Sequence, residues 1–166
     1  MKNWLKRIGH SAEKLLITED AGGIPVVSVP LSGLPDLLRT LRDSDGLDFL
    51  QLVDLFGQDN LPASPRFQIS YVLHSPVLHE SLILHVAVDS DTEIPSVYHL
   101  WPCAAWLERE CHDLLGLSFQ GEHMSRILLH EGFDGHPLRR NYGSPNRQID
   151  LNKRFPEAPA GTQSQS

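Results

Sequence analysis

An α+β domain, with a mainly antiparallel sheet covered by helices and followed by an irregular C-terminal segment, is the fold class this sequence predicts. Three observations predict it. Between residues 67 and 88 apolar and polar positions alternate with a period of two, the mark of half-buried strands. Stripes with a period of 3.6 flank that stretch, over 34 to 41 before it and 104 to 115 after it. From Ser118 onward neither period persists, and glycines at 121, 132, 135 and 143 and prolines at 137 and 145 break the chain repeatedly. The expected organisation is a sheet-and-helix domain over 1–117, an extended segment over 118–155 and a disordered tail over 156–166, which carries no large apolar residue.

The elements follow in order. Met1 to His10 is amphipathic and basic (Lys2, Lys6, Arg7) but lacks an apolar run and a small-residue cleavage site, which predicts a short opening helix rather than a signal peptide. Ile24 to Val29 is β-branched and bounded by Gly22-Gly23 and Pro30, so it reads as a strand. Ser32 is placed to cap a helix with Pro35 in its first turn, Leu34, Leu37, Leu38 and Leu41 on its buried face, and Asp45-Gly46 as its stop. Phe49 to Phe56 is the next strand and Gly57 to Pro65 the loop after it. Phe67, Ile69, Tyr71 and Leu73, then Leu82, Leu84, Val86 and Val88, form a hairpin joined over Ser75 to Glu80. Ser96 is expected to cap a short helix through Trp101, and Pro102 to open a second one. That second helix buries Ala104, Leu107, Cys111, Leu114 and Leu115 and ends at a left-handed Gly116.

Composition narrows the function. The 166 residues are 40% hydrophobic and 21% charged, and a chain of that length buries roughly 70% of its unfolded surface without needing a staple. A net charge of −7 disfavours nucleic acid and anionic lipid as partners. The most apolar runs, Ile24 to Leu31 and Leu82 to Val88, fall far short of the ~20 residues that span a bilayer. Two cysteines, Cys103 and Cys111, are too few for a disulfide framework or an iron–sulfur cluster and are expected to be core thiols, as Trp101 and Trp106 are expected to be packing anchors.

The usual catalytic devices are missing or broken. No glycine-rich phosphate loop occurs. Gly116-Leu117-Ser118-Phe119-Gln120 lacks the last glycine of a nucleophile elbow. His79-Glu80 and His130-Glu131 each lack the second histidine of a zinc-protease motif, since Ile83 and Asp134 stand in its place. What remains is His130, Asp134 and His136, with His123 nearby, whose ligand types suit zinc and which leave a stand-alone metal-dependent hydrolase as an alternative reading.

The densest charge pattern is Glu108-Arg109-Glu110-Cys111-His112-Asp113. On a helix Arg109 and Asp113 are i, i+4 neighbours able to pair, whereas Glu110 and Asp113 are like charges near the helix C-terminus and need cations from elsewhere. Arg126, Arg139 and Arg140 can supply them. Such pairs would pin the irregular segment to the helix, either as an internal network or as an interface that engages a second protein.

These residues carry a resemblance. Ile-Pro-Ser-Val at 94 to 97, Leu-Trp-Pro at 100 to 102, Ala-Trp-Leu-Glu-Arg-Glu at 105 to 110, Asp-Leu-Leu-Gly-Leu at 113 to 117, Phe-Gln-Gly at 119 to 121, Arg-Ile-Leu-Leu at 126 to 129 and Gly-His-Pro-Leu-Arg-Arg-Asn-Tyr at 135 to 142 resemble the C subunit of NADH-quinone oxidoreductase, the 30 kDa subunit family of respiratory complex I. The resemblance runs from Phe49 to Tyr142 and is more general upstream, at Leu52 to Leu55 and Arg66 to Ser75. It departs at Glu122 to Ser125, His130, Asn141 and Gly143, and the chain is short for the family.

It implies a non-catalytic peripheral subunit of the proton-translocating enzyme, on the cytoplasmic side of the membrane. FMN, iron–sulfur clusters and quinone would then sit in partner subunits, with no cofactor or metal in this one. Its neighbours would be the D and B subunits of complex I, which line the quinone cavity and hold the terminal iron–sulfur cluster respectively. The resemblance further implies that Glu108, Arg109, Glu110, Asp113, Gly116, Phe119, Gly121, Arg126, Gly135, His136, Pro137, Leu138, Arg139 and Tyr142, with Arg140 beside them, order the irregular segment and dock the D subunit. The equivalent subunit of a related membrane-bound hydrogenase, or of a ferredoxin- or F420-linked quinone reductase, is the other reading within that class.

Overall fold

Alternation in the middle of the chain builds the sheet. In a computed structural model, which describes residues 16–19, 22–121 and 125–143, β4 (Phe67–Ser75) and β5 (Glu80–Val88) pair antiparallel over their whole length, from Phe67 opposite Val88 to Ser75 opposite Glu80. Every apolar residue of the expected inner face, from Phe67 to Leu73 and from Leu82 to Val88, is buried. β3 (Gln51–Asp59) adds antiparallel to β4, with a bulge at Val53. On the far side β2 (Pro25–Ser28) pairs parallel with β5, and β1 (Leu16–Glu19) pairs antiparallel with β2. The order is β1-β2-β5-β4-β3, antiparallel at every junction but one. A parallel neighbour requires a long crossover. The chain from β2 to β5 supplies it, and that stretch includes α1 (Leu34–Asp43).

α1 sits where the leucine stripe places it: Leu34, Leu37, Leu38 and Leu41 are buried in the same core as the inner face of the sheet. Its entry differs from expectation. Ser32 lies within a tight 3-10 turn, Leu31–Gly33, that runs straight into the helix, so Gly33 holds the cap position and no side chain caps it. Phe49 donates its N–H to the Leu41 carbonyl, and β3 begins only at Gln51. β3 also runs past Phe56, because Gly57 faces the helix beyond. A Cβ there would lie 2.6 Å from Leu115 Cδ1 and 2.9 Å from Leu117 Cδ1.

The expected helix from Ser96 to Trp101 is a single turn, in which the N–H groups of Leu100 and Trp101 both reach the Val97 carbonyl. So short a stretch cannot offset the cost of nucleating a helix. A second turn through Pro102 delivers the chain to α2 (Ala104–Leu115), which ends at Gly116 with φ 71° as the sequence predicts. Ala104, Cys111 and Leu115 are buried on its inner face with Leu107 partly so, whereas Leu114, expected there too, is half-buried outside the core, and Glu108 and Asp113 are buried instead. The packed unit extends past Leu117: β7 (Ser118–Phe119) pairs parallel with β6 (Glu93–Ile94), and Phe119 joins the core.

α2 and the turn before it also close the outer edge of the sheet. Trp101 Nε1 donates to the Leu50 carbonyl at 3.0 Å, and the Cys103 and Cys111 thiols approach the Leu52 and Leu55 carbonyls at 3.8 and 3.9 Å. Backbone acceptors that would otherwise invite another strand are thereby engaged. Trp101 and Cys111 are buried as expected, whereas Cys103 is exposed and the Trp106 side chain is 64% exposed, pointing away from the core. The opening segment Met1 to His10, the tail from Pro156 and His123 lie outside the described residues.

Candidate functional site

Two buried aspartates organise the irregular segment. Asp113, on the last turn of α2, has no exposed surface. Its Oδ2 accepts the backbone N–H groups of Ile127, Leu128 and Leu129 at 3.1, 2.9 and 2.9 Å, and its Oδ1 accepts from Arg126 Nη1 at 3.0 Å. Burial alone would raise the carboxyl pKa; the three N–H donors and the Arg126 charge outweigh it and hold the group below the usual carboxylate range. Arg126 also reaches the Gly135 carbonyl and so ties the two halves of the segment together.

The end of α2 is satisfied by the same segment. A helix leaves its last four carbonyls without intrahelical donors. Here His136 Nδ1–H donates to Asp113 O at 2.9 Å, Leu138 N–H to Leu114 O at 3.1 Å, and Arg139 to Leu115 O and Gly116 O at 2.6 and 3.3 Å. Positive and donor groups at this pole also suit the helix dipole. Gly116 is required twice over, by its left-handed φ and by crowding: a Cβ would lie 2.5 Å from Arg139 Nη2 and 2.6 Å from the His136 ring.

The second anchor, Asp59, sits on the buried parity at the end of β3. Arg66 grips it with Nε–Oδ1 at 3.0 Å and Nη2–Oδ2 at 2.6 Å, and Leu61 N–H and Arg140 N–H complete its acceptors. The Arg66 hydrogen bonds, working against burial, hold this carboxyl well below the usual range. Arg66 Nη2 also donates to Asn141 Oδ1 at 2.6 Å, and Arg140 Nη1 to the Leu61 carbonyl. The ring of Phe67, next in sequence to Arg66, meets the guanidinium groups of Arg66 and Arg139 at 4.8 and 5.5 Å.

Between the anchors the segment packs on itself. Phe133 stacks on Tyr142, His130 meets Phe133 edge-on, and the Tyr142 hydroxyl donates to the Asp134 carbonyl. Gly135, at φ 83°, lies against the Tyr142 ring. None of residues 125–143 is buried, and the hydrophobic core ends at Phe119. Leu128 and Leu138 are 60% and 57% exposed. The segment is thus held by carboxylates, carbonyls and arginines, while Leu128 and Leu138 face outward and Leu129 is half-buried.

The expected site residues divide accordingly. Asp113, Gly116, Arg126, Gly135, His136, Leu138, Arg139, Arg140 and Tyr142 meet in this assembly, although Arg139 serves carbonyls rather than carboxylates and Arg140 serves Asp59 rather than the α2 acids. The expected Arg109–Asp113 pair does not form. Arg109 donates to Ser125 O and Oγ and lies 5.1 Å above the Trp106 ring, because Asp113 is turned inward to Arg126. Glu108 points inward and accepts from Ser96 Oγ and Val97 N–H, both at 2.8 Å, with its pKa raised by burial. It orders the turn before α2, not the segment after it. Phe119 is a core residue, and Glu110 and Gly121 stand exposed outside both anchors.

The alternative metal site is not assembled. Among the described residues no three His, Cys, Asp or Glu side chains could hold an ion, and His136 is committed to the α2 carbonyl. Among the same residues no helix is long and apolar enough to cross a membrane. Sequence reasoning missed Asp59 and Arg66. The available signal was an acid on the inward parity of an apolar strand, Leu55-Phe56-Gly57-Gln58-Asp59, which needs a partner.

Comparison with known proteins places these features. A family model described as the respiratory-chain NADH dehydrogenase 30 Kd subunit matches residues 27–148. The chain is 39% identical over 118 residues to the NADH-quinone oxidoreductase C subunit of Erythrobacter litoralis, covering 70% of this chain and 46% of that one. To the C subunit of the Caulobacter vibrioides enzyme it is 43% identical over 108 residues, covering 64% and 55%. It therefore spans about half the length of the curated relatives it matches. Among solved structures, a trypsin-resistant fragment of Nqo5 superposes with a TM-score of 0.64 at 26% identity, over 76% of this chain and all of that one. A chain of the membrane-bound sulfane sulfur reductase, an archaeal respiratory membrane complex, shares the fold at a TM-score of 0.72 and 22% identity, over 92% and 89%.

Proposed function

The chain belongs to the respiratory-chain NADH dehydrogenase 30 Kd subunit family, and from that premise we propose that it is a non-catalytic, peripheral subunit of a proton-translocating NADH-quinone oxidoreductase. Its task is to dock and hold the D subunit, which lines the quinone cavity, next to the B subunit on the cytoplasmic side of the membrane. NADH oxidation, iron–sulfur transfer and quinone reduction belong to partner chains that carry the FMN, the clusters and the quinone site. One observation carries this reading: residues 125–143 are pinned by two buried aspartates yet present Leu128 and Leu138 outward. A segment whose backbone is already held at Ile127 to Leu129 and at Leu138 to Arg140 loses little freedom when a partner covers it, which is how preorganisation raises affinity.

The test is a tagged pull-down from gently solubilised membranes, with cross-linking mass spectrometry from the segment Arg126 to Tyr142. Stoichiometric recovery of complex I subunits, with cross-links on the quinone-cavity subunit, is the expected result. Recovery with hydrogenase or ferredoxin-linked donor subunits would reassign the complex, and recovery alone from the soluble fraction would overturn the docking role.

A further inference from the structure

On another face of the molecule, α1 and the Pro95–Leu100 turn stand apart and enclose a cleft of about 340 Å³. Pro35 and Pro95 give it half-buried apolar walls, and Leu34, Val97 and Leu100 are buried behind them. The turn is rigid from behind, because the buried Glu108 carboxylate holds both Ser96 Oγ and Val97 N–H. The exposed Arg39, His99 and Gln120 bring polar heads to the cleft, no carboxylate lines it, and the buried Glu108 carboxylate acts on His99 from behind the turn.

In a chain of net charge −7 the Arg39 charge stands here without a carboxylate in the lining to face it. Among the described residues the Arg39 guanidinium makes no ion pair, although Asp36 lies one turn before it, and the His99 ring and the Gln120 side-chain amide make no hydrogen bond. The volume lies at the lower end of ligand-sized pockets, enough for one or two side chains, and a few polar groups converging on apolar walls are what fixes a ligand's orientation.

We propose that this cleft is a second recognition site, which takes an acidic, partly apolar peptide segment of a partner protein and holds its carboxylate between Arg39, His99 and Gln120. Guanidinium and carboxylate match in geometry as well as charge, and the apolar walls select a side chain beside the acid. No residue of the 125–143 segment lines the cleft, so this proposal and the docking reading stand or fall separately.

The test titrates the isotope-labelled full chain with the blocked peptide Ac-Gly-Leu-Glu-Leu-Asp-Gly-NH2, following backbone amides by NMR. Saturable shifts at Val97, His99 and Gln120 are expected, weakening as salt screens the charges. The peptide with Gln and Asn in place of its acids should bind about tenfold less tightly or worse, and Arg39→Ala should cost as much while the β4–β5 amides stay in place. Equal binding of the neutral peptide, or shifts located elsewhere, would overturn the proposal. So would the absence of saturation at about 5 mM peptide, an affinity too weak for a recognition site. Glutarate binding as tightly as the peptide would overturn the partner segment in favour of a small carboxylate ligand.

Discussion

The two halves of this molecule are held by opposite means. In the sheet and its helices, cohesion is spread over more than two dozen buried apolar side chains between Val27 and Phe119. The segment from Ser125 to Gly143 contributes nothing to that core and depends on a handful of charged contacts centred on Asp113 and Asp59. Apolar burial is additive and tolerant, whereas a buried carboxylate that satisfies three N–H groups and a guanidinium concentrates its effect in one residue. The core should therefore yield gradually to substitution and the segment all at once.

The largest test of that contrast is Asp113→Ala. It leaves the amides of Ile127, Leu128 and Leu129 without their acceptor and Arg126 without its counter-charge, a loss of about 3–5 kcal/mol. The loss should be local. Limited proteolysis should cut within 125–143 while the amides of β4 and β5 keep their protection from exchange. A core truncation such as Leu84→Ala should cost about 2–5 kcal/mol by global unfolding and leave the segment protected until the whole domain melts. If Asp113→Ala unfolds the hairpin together with the segment, the two regions are one cooperative unit and the contrast fails.

Acid should separate the regions with smaller effect. Asp113 has a folded pKa below the ordinary aspartate value, so its contribution is complete above that value, about 3.9, and is lost as pH falls through the lower folded one. Glu108, on the inner face of the same helix, is shifted upward by burial. Its contribution has the other sign: full below the ordinary glutamate value and lost as pH rises through the raised one. Two amides report them. Val97 N–H should titrate above the ordinary carboxylate range, and Leu128 N–H below it, in a single NMR series. A shared midpoint for both amides would show that neither environment is as described.

Sequence and structure part company along the same division. Alternation exposed β4 and β5, and the leucine stripe exposed α1, because each is a local pattern whose buried face is set by parity alone. Gly116 was legible for a local reason too, a helix that ends where only glycine tolerates the left-handed turn. The need of Asp113 for an outside cation was legible, but not its direction. Local spacing offered Arg109 at i−4, and tertiary geometry turned the carboxylate inward to Arg126 and three backbone donors. The parallel pairing of β2 with β5 joins residues more than fifty apart, a distance at which no periodicity specifies a partner. Trp106 shows the limit from the other side: a tryptophan reads as an anchor in any sequence, and here it lies outside, beneath Arg109.

The smallest test bears on the core itself. The Tyr71 hydroxyl is fully buried beneath α2, with no hydrogen-bond partner among the described residues, and burial raises its pKa beyond reach of titration. A desolvated hydroxyl left unpaired costs stability, so Tyr71→Phe removes a penalty while keeping the ring that fills the space. The variant should match the wild type or gain up to about 1 kcal/mol in urea denaturation, with no change in protection at Leu128. That is the reverse of Asp113→Ala: deleting a polar group from the apolar region is harmless because nothing was bound to it, and deleting one from the segment is not. A loss above about 1 kcal/mol would mean that the hydroxyl is paired in solution, and that the core too depends on a buried polar contact.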